Sequence, residues 1–254
     1  MPSTTVLITG ANRGLGRALA EAYLSRPDHV VIAAVRDDTS ESSSSLKAIK
    51  PASSSSRVIV VKIANDSETD AAAAVDTIKA AGISSLDVVI ANAAIANVFA
   101  RLEEIDMKDF QQFFEVNTYG PMRLYIAVYP LLKAAADNGG KPKFVAISTV
   151  ASRIMKLEEN APFKLGAYGA SKVAVNYIVR RAHAENEWLE AFLLEPGLIN
   201  TDMGKEGIRP FGLPETILTK VGDSCAGIMK LIDESTREKT SGKFFNWEGV
   251  DQGF

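Results

Sequence analysis

Six short runs of apolar residues, separated by segments of helical period, restrict the fold more than any other feature of this sequence. The runs are continuous rather than alternating, and the segments between them include residues 71–80 and 122–136. Strands that are apolar on both faces are typical of parallel sheets covered by helices on each side. We therefore predict an α/β fold, a doubly wound parallel sheet with helices on both faces. Its strands are predicted at residues 6–8, 30–35, 58–63, 86–91, 144–147 and 191–194.

The length of the chain and its lack of a dividing segment predict a single domain that spans residues 1–254. The chain has 254 residues, with no linker and no repeat at a fixed spacing, and one α/β domain of this size is ordinary. Two serine runs, residues 42–45 and 53–56, interrupt the pattern. Such runs are typical of flexible surface loops, and we predict no chemistry for them.

Composition argues against several classes of protein. No apolar run approaches the roughly 18 residues that cross a bilayer, and residues 1–5 lack the basic start and apolar stretch of a secretory signal. A net charge of −3 provides no basic surface for nucleic acid or anionic lipid. One cysteine and two histidines offer neither a disulfide nor the spaced ligands of a metal site. We expect a cytoplasmic protein that binds no metal, nucleic acid or membrane.

A glycine-rich turn joins the first predicted strand to the first predicted helix. Its sequence is TGANRGLG, which spaces the glycines as Gly-x-x-x-Gly-x-Gly. Glycines at such a place permit a tight turn and a close approach of the backbone to a pyrophosphate, beside the unpaired N–H groups of the helix. The turn predicts a dinucleotide site in a Rossmann-type fold. The residues predicted to contact the cofactor are Gly10, Asn12, Arg13, Gly14, Leu15 and Gly16.

The end of the second strand predicts which nicotinamide cofactor is bound. An NAD site has a carboxylate there to bind the ribose hydroxyls, whereas this chain has Val35 followed by Arg36. Two guanidinium groups, those of Arg13 and Arg36, can bracket a 2′-phosphate with charge-assisted hydrogen bonds. The alternative is that both are solvated surface arginines. We predict NADP(H) as the cofactor.

Tyr168 and Lys172 lie four residues apart in a segment of helical period and therefore share one helix face. A free tyrosine has a pKa of about 10. An ammonium group about 4 Å away would contribute about 4 kcal/mol at an effective dielectric of about 20, which is about three pKa units. The pair therefore predicts a tyrosine whose pKa Lys172 lowers toward neutrality. The alternative is a surface pair that occurs by chance.

The glycine turn, Asn117, the Tyr168–Lys172 pair and Pro196-Gly197 occur in the order and approximate spacing of the short-chain dehydrogenase/reductase family. The chain resembles this family over nearly its whole length. Within the family it is most similar to single-domain NADPH carbonyl reductases, and to fungal ketoreductases of the norsolorinic-acid type. The resemblance implies an oxidoreductase of secondary metabolism that reduces a ketone, and it allows a homo-oligomer.

The resemblance also implies a role for each matching residue. Tyr168 protonates the carbonyl oxygen, Lys172 tunes the tyrosine and holds the nicotinamide ribose, and Asn117 binds a water that relays protons. A hydroxyl group after the fifth strand donates to the substrate oxygen, and here Thr149 takes that role, with Ser148 as the alternative. The remaining cofactor contacts are implied for Asn92, Pro196, Gly197, Ile199 and Thr201.

Three further departures from the family pattern concern the cofactor and the substrate. The third strand is followed by Ala64 where the family has an adenine-binding aspartate, so that contact must come from the backbone, Asn65 or Asp66. The usual Asn-Asn-Ala-Gly reads ANAA at residues 91–94. An insertion at residues 153–165 is expected to shape the substrate pocket.

The predicted reaction is the NADPH-dependent reduction of a ketone, on an aromatic or polycyclic metabolite of polyketide type. Residues 198–222, with glycines as hinges and several apolar side chains, are predicted to form a mobile lid over an apolar substrate. Two alternatives stay open. One is the reverse reaction, alcohol oxidation with the same residues, and the other is a non-catalytic NADP-binding sensor or scaffold on the same fold.

Overall fold

The computed structural model describes residues 3–254, which contain one sheet of seven strands, all paired in parallel. The predicted absence of a secretory signal concerns residues 1–5. Two of these residues, Met1 and Pro2, lie outside the described residues. The strand order is β3-β2-β1-β4-β5-β6-β7. The strands are β1 (Thr4–Thr9), β2 (His29–Val35), β3 (Arg57–Lys62), β4 (Val88–Ala91), β5 (Lys143–Ile147), β6 (Glu190–Glu195) and β7 (Phe244–Asn246).

Helices cover both faces of this sheet, which confirms the predicted doubly wound arrangement. One core cluster joins the sheet to α3, α5 and α7, and the other joins it to α1, α2 and α9. The helices are α1 (Gly14–Leu24), α2 (Glu41–Lys47), α3 (Asp70–Ala80), α4 (Met107–Phe114), α5 (Gly120–Asp137), α6 (Leu157–Asn160), α7 (Gly166–Glu185), α8 (Asp202–Ile208) and α9 (Val221–Glu234).

The continuous apolar runs follow from this two-sided burial. On β1, Leu7 points into the first cluster, while Val6 and Ile8 point into the second, because successive side chains of a strand alternate between faces. All three are fully buried, and complete burial of such a side chain stabilises the fold by about 1.5–3 kcal/mol. The six predicted strands are confirmed, and none of their ends is displaced by more than two residues.

The serine run at residues 42–45 was predicted to be a loop, and that prediction is wrong. These residues lie within α2. Ser40 caps the helix by accepting a hydrogen bond from the Ser43 N–H at 3.3 Å, and the buried Ser43 hydroxyl donates to the Asp37 carbonyl at 2.6 Å. Capping and the burial of Leu46 therefore outweigh the low helix propensity of serine. The second run, residues 53–56, lies in turns between α2 and β3, as predicted.

The sequence prediction also missed β7, a strand of three residues at the sheet edge. Phe244 pairs with Leu193 of β6, and its ring is fully buried. Within residues 3–254, no helix is long and apolar enough to cross a membrane. The same residues contain no group of three or more histidine, cysteine or acidic side chains placed to hold a metal ion.

Candidate active site

The glycine turn lies at the carboxyl end of β1, beside β4, where the strand order reverses. Ligands of open parallel sheets bind at this position. Gly10 and Gly14 have φ values of 65° and 54°, a backbone region that glycine adopts without strain. A Cβ at Gly16 would lie 2.3 Å from the Gly10 carbonyl oxygen, so α1 packs against the turn with no room for a side chain. The helix begins at Gly14, with its N-terminus at the turn.

The predicted cofactor residues around this turn differ in what their side chains contact. Asn12 donates to the Ser42 hydroxyl at 3.0 Å, which ties the turn to α2, and Leu15 is buried in the core. Arg13 is exposed and lies 3.9 Å from the Asp202 carboxylate. Arg36 is exposed directly after β2. The two arginines are therefore available to a ligand, whereas Asn12 and Leu15 shape the turn.

Asn92 links the carboxyl ends of β1 and β4 through hydrogen bonds. Its amide donates to the Thr9 carbonyl at 2.8 Å, and its backbone N–H donates to the Thr9 hydroxyl at 3.0 Å. Asn65, one candidate for the adenine contact, donates both amide hydrogens to the backbone carbonyls of Ala93 and Val116. Asn65 therefore has no amide donor left for adenine, and its side chain could contribute only Oδ1, as an acceptor; the exposed Asp66 and the backbone are the other candidates.

The segment that follows β6 crosses in front of the glycine turn. Gly197 has a φ of 79°, and a Cβ there would lie 3.0 Å from the indole nitrogen of Trp247. The Pro196 carbonyl accepts from the Ser224 hydroxyl at 2.6 Å, and Ile199 forms a bridge with Thr219. Thr201 caps α8, and its Cγ2 would lie 3.2 Å from a Cβ at Gly14. Of the predicted nicotinamide-end residues, Thr201 therefore reaches the predicted pyrophosphate turn.

Tyr168 and Lys172 both lie on α7, as the spacing predicts. The Tyr168 ring packs against the buried Phe113 ring at a centroid distance of 6.2 Å. Lys172 is 3% exposed, and its ammonium donates to the Ile147 carbonyl at 2.8 Å. Burial lowers the pKa of Lys172 to about 8, because a low-dielectric surrounding disfavours the charged form.

The pKa of Tyr168 shifts in the direction opposite to the prediction. Burial raises the pKa of Tyr168 to about 12, and the negative charge of Glu195 also raises it. The interaction with Thr149 lowers this pKa, but by less than burial raises it. The expected lowering by Lys172 fails because the desolvation of the phenolate outweighs the favourable interactions that the protein groups provide. Tyr168 is therefore protonated throughout the neutral range.

Of the two hydroxyl residues after β5, Thr149 is the one whose hydroxyl lies near enough to Tyr168 to lower the pKa of the phenol. Its Oγ1 also accepts from the Ala151 N–H at 3.3 Å, which leaves the hydroxyl proton free to be donated. The Ser148 hydroxyl donates to the Asn176 Oδ1 at 2.6 Å inside a buried network. The structure therefore favours Thr149 and gives Ser148, the alternative candidate, a different partner.

Asn117 lies in a π-helical turn (Glu115–Tyr119) between α4 and α5, and such turns are frequent at functional sites. Its side chain is fully buried; Oδ1 accepts from the Ile95 N–H at 2.8 Å, and Nδ2 donates to the Ile95 carbonyl at 2.9 Å. Nδ2 also lies 3.2 Å from the Ser171 hydroxyl. The side chain thus holds the loop after β4, and the predicted water contact falls to the Asn117 backbone carbonyl or the second lone pair of Oδ1.

Three loops at this end of the sheet meet through aromatic rings. Phe211, from the segment predicted to be a lid, contacts Phe99 and Phe163 edge to face, with centroid distances of 5.9 and 5.3 Å. Phe163 belongs to the insertion at residues 153–165, and Phe99 to the loop after β4. A bridge between Ala100 and Leu165 joins the same two segments. The insertion is therefore packed against both neighbouring loops.

Sequence reasoning missed two buried polar residues near this site. Asn176 lies four residues beyond Lys172 on the same face of α7, so its spacing was a usable signal. Glu195 precedes Pro196 and accepts from the Gly197 N–H at 2.8 Å. Burial raises the pKa of Glu195, and nothing in its spacing could have indicated that effect.

Comparisons with known proteins are consistent with this geometry. A family model described as short chain dehydrogenase matches residues 4–209. The norsolorinic acid ketoreductase nor1 of Dothistroma septosporum is 43% identical over 244 residues, which cover 95% of this chain and 88% of that protein. The norsolorinic acid ketoreductase of Aspergillus parasiticus is 43% identical over 242 residues, with coverages of 95% and 87%. The solved structure of NADPH-bound carbonyl reductase from chicken fatty liver has a TM-score of 0.88 at 26% identity, with 100% of both chains covered.

Proposed function

Because the chain belongs to the short-chain dehydrogenase family and is therefore an oxidoreductase, we propose that it is an NADPH-dependent ketoreductase that reduces a ketone to a secondary alcohol. The observation that carries the proposal is the proximity of the Tyr168 phenol, on α7, to the Thr149 hydroxyl after β5, which is near enough to lower the pKa of Tyr168. Relatives named as ketoreductases and an NADPH-bound carbonyl reductase support the same reaction and cofactor here. The test of this proposed function is whether the purified protein consumes NADPH in the presence of an aryl ketone.

The glycine turn fits the pyrophosphate of a dinucleotide. A Cβ at Gly16 would collide with the Gly10 carbonyl, so the surface of the turn at this point consists of backbone atoms. The first turn of α1 contains no acidic residue, so its N–H groups and positive end are left to an anion. The exposed guanidinium groups of Arg13 and Arg36 would hold the 2′-phosphate. Pro196, Gly197, Ile199 and Thr201 would hold the nicotinamide end.

Tyr168 and Thr149 supply the hydrogen bonds and the proton of the reaction. NADPH, when bound, supplies the hydride that reduces the carbonyl carbon. Tyr168 keeps its proton at neutral pH, because burial raises its pKa to about 12, and it gives that proton to the carbonyl oxygen. Thr149 donates a hydrogen bond to the same oxygen. Two donors aimed at the developing alkoxide stabilise it more than they stabilise the ketone.

Lys172 is placed to hold the nicotinamide ribose and to return a proton to Tyr168. An ammonium group has three donors, and one of them is bonded to the Ile147 carbonyl. The other two are available for ribose hydroxyls and for a proton-relaying water near Asn117. The bond to Ile147 fixes the ammonium at the end of β5, next to Thr149, which would contact the substrate.

We propose an aromatic or polycyclic ketone of polyketide type as the substrate. Three aromatic rings in the loops around the carboxyl end of the sheet support this choice, those of Phe99, Phe163 and Phe211. Aromatic rings pack well against planar apolar ligands. The names of the two fungal relatives support it as well. Residues 198–222 would form the lid, with Phe211 as its contact to the insertion.

The cofactor preference leads to a prediction about Arg36. We expect NADPH to bind at least about tenfold more tightly than NADH, equivalent to about 1.4 kcal/mol, as measured by fluorescence titration. Arg36→Asp should narrow or reverse this difference, because it replaces a partner of the 2′-phosphate with a carboxylate. Arg57→Asp is the control, since Arg57 is exposed at the opposite end of the sheet. Equal affinities of the unmodified protein for the two cofactors would contradict the assignment.

The pKa values of the site lead to a prediction about pH. The value of kcat/KM for NADPH should fall as the pH rises through about 8, because burial lowers the pKa of Lys172 to about 8. Above that pH Lys172 loses its charge, while Tyr168, with a pKa raised to about 12, keeps its proton. Lys172→Arg retains its charge beyond pH 12 and should move the fall to higher pH. A fall at an unchanged pH in this variant would assign the titration to another group.

A further inference from the structure

Three side chains on one face of α7 hold the turn that follows β5. Tyr168, Lys172 and Asn176 are spaced by four residues and therefore line up along the helix. Each of them contacts a different residue at or just after the end of β5. Tyr168 lies near the Thr149 hydroxyl, Lys172 donates to the Ile147 carbonyl, and Asn176 accepts from the Ser148 hydroxyl. The contacts of Tyr168 and Lys172 belong to the site already described, whereas that of Asn176 has no assigned role.

The bond from Asn176 continues to the backbone of Thr149. The Ser148 hydroxyl donates to the Asn176 Oδ1 at 2.6 Å, and the Asn176 amide donates to the Ser152 hydroxyl at 2.9 Å. Ser152 in turn donates to the Thr149 carbonyl at 2.7 Å. Asn176, Ser148 and Ser152 are each at most 3% exposed. A buried network with every member bonded holds its partners in one geometry.

The helix α7 and the turn after β5 are in close contact. A Cβ at Gly169 would lie 2.6 Å from the Ala151 carbonyl oxygen, so no side chain fits between α7 and the turn (Val150–Ser152). The separation of the Tyr168 and Thr149 hydroxyls therefore depends on how the turn lies on the helix. Asn176 is two helical turns away from Tyr168 and contacts the turn on its far side.

We propose that Asn176 is a positioning residue, which through Ser148 and Ser152 holds the Thr149 hydroxyl at the distance from Tyr168 that ketone reduction requires. This inference rests on the proposed function, because it assigns Asn176 to the same pair of hydroxyl groups. Asn176 acts through Thr149 and does not touch the substrate. Displacement of a reacting group by about 1 Å can cost up to about a hundredfold in rate, so the network has a measurable effect on kcat.

The test uses Asn176→Leu, which keeps the branched shape and the number of side-chain heavy atoms but cannot bond to either serine. We expect kcat to fall about tenfold or more, with the dissociation constant for NADPH within about twofold of the unmodified value. Ser152→Ala, which removes the donor to the Thr149 carbonyl, should act in the same direction and serves if Asn176→Leu folds poorly. In a Thr149→Val background, Asn176→Leu should cost less than about a further twofold, because the group that it positions is already gone.

Asn186→Leu is the matched control. Asn186 is a buried asparagine at the other end of α7, where its amide bonds to the Ala182 carbonyl and the Tyr125 hydroxyl. Its replacement removes buried hydrogen bonds of the same kind and should lower the melting temperature without a tenfold effect on kcat. If Asn176→Leu lowers kcat no more than Asn186→Leu does, or if its effect multiplies with that of Thr149→Val, the positioning role is wrong.

A spectroscopic measurement tests the inference without turnover. The chain has six tyrosines, so the ring carbon Cζ of Tyr168 can be assigned in 13C-labelled protein by its loss in Tyr168→Phe. Asn176→Leu should move this resonance in the same direction as Thr149→Val, since both weaken the interaction of Thr149 with the Tyr168 phenol. An unmoved resonance would overturn the inference. A moved resonance in a protein that reduces no ketone would support the positioning role and contradict the proposed function.

Discussion

Replacement of Tyr168 by phenylalanine is expected to lower ketone turnover about a thousandfold or more while the affinity for NADPH stays within a few-fold. The substitution removes only the phenolic hydroxyl, which we propose as the proton donor, and general acid catalysis typically contributes about a hundred- to ten-thousandfold. The ring remains to pack against Phe113, so the fold should be retained. The measurement is kcat on a good ketone substrate, together with a fluorescence titration of NADPH.

Tyr177→Phe is the matched control for this variant. Tyr177 lies on the same helix and is 69% exposed, so loss of its hydroxyl should leave kcat unchanged. Substantial reductase activity in Tyr168→Phe would show that the proton comes from another group. Loss of NADPH binding in the same variant would instead indicate that Tyr168 serves mainly to hold the cofactor.

Replacement of Thr149 by valine is the second large effect that we expect. Valine has nearly the same shape but no hydroxyl, so the variant removes one hydrogen-bond donor to the developing alkoxide. Loss of such a donor costs about a hundred- to a thousandfold in kcat. Ser148→Ala should cost much less, because the Ser148 hydroxyl is bonded to Asn176 and acts only on position. The reverse order of the two effects would transfer the donor role to Ser148.

The positions of the strands and of the Tyr168–Lys172 pair could be predicted because they depend on local periodicity. Continuous apolar runs require burial on both faces, and a four-residue spacing on a helix brings Tyr168 and Lys172 to one face. The glycine turn could be predicted for a similar reason. Positive φ at Gly10 and Gly14, and the close approach at Gly16, restrict these positions to glycine.

The features that could not be predicted depend on partners distant in the sequence. The helix α2 forms from a serine run because its cap and the buried Ser43 bond to neighbours. The pKa of Tyr168 depends on burial, which the spacing of Tyr168 and Lys172 does not encode, and its direction was therefore predicted wrongly. β7 has too few residues to show a periodic pattern, and it forms because it pairs with β6 at the edge of the sheet.

Asn117 illustrates a different limit of sequence reasoning. The resemblance to a family implies that it binds a water, and the side-chain amide is bonded to both backbone groups of Ile95, so the backbone carbonyl and the second lone pair of Oδ1 are the atoms left for that water. A side chain that holds a loop and a side chain that binds water require the same residue type. Only the three-dimensional arrangement distinguishes them. Asn176 would have been found by extending the four-residue spacing of the helix face by one step.

The central claim is that this protein reduces a ketone with NADPH, and one assay tests it directly. Purified protein is incubated with NADPH and a polycyclic aryl ketone, the loss of absorbance at the nicotinamide band is followed, and the secondary alcohol is quantified, with Tyr168→Phe as the blank. We expect one alcohol formed for each NADPH consumed, a higher kcat/KM than for a short aliphatic ketone, and no product with the blank. Tight binding of NADPH without alcohol formation from any ketone of a broad panel would contradict the claim.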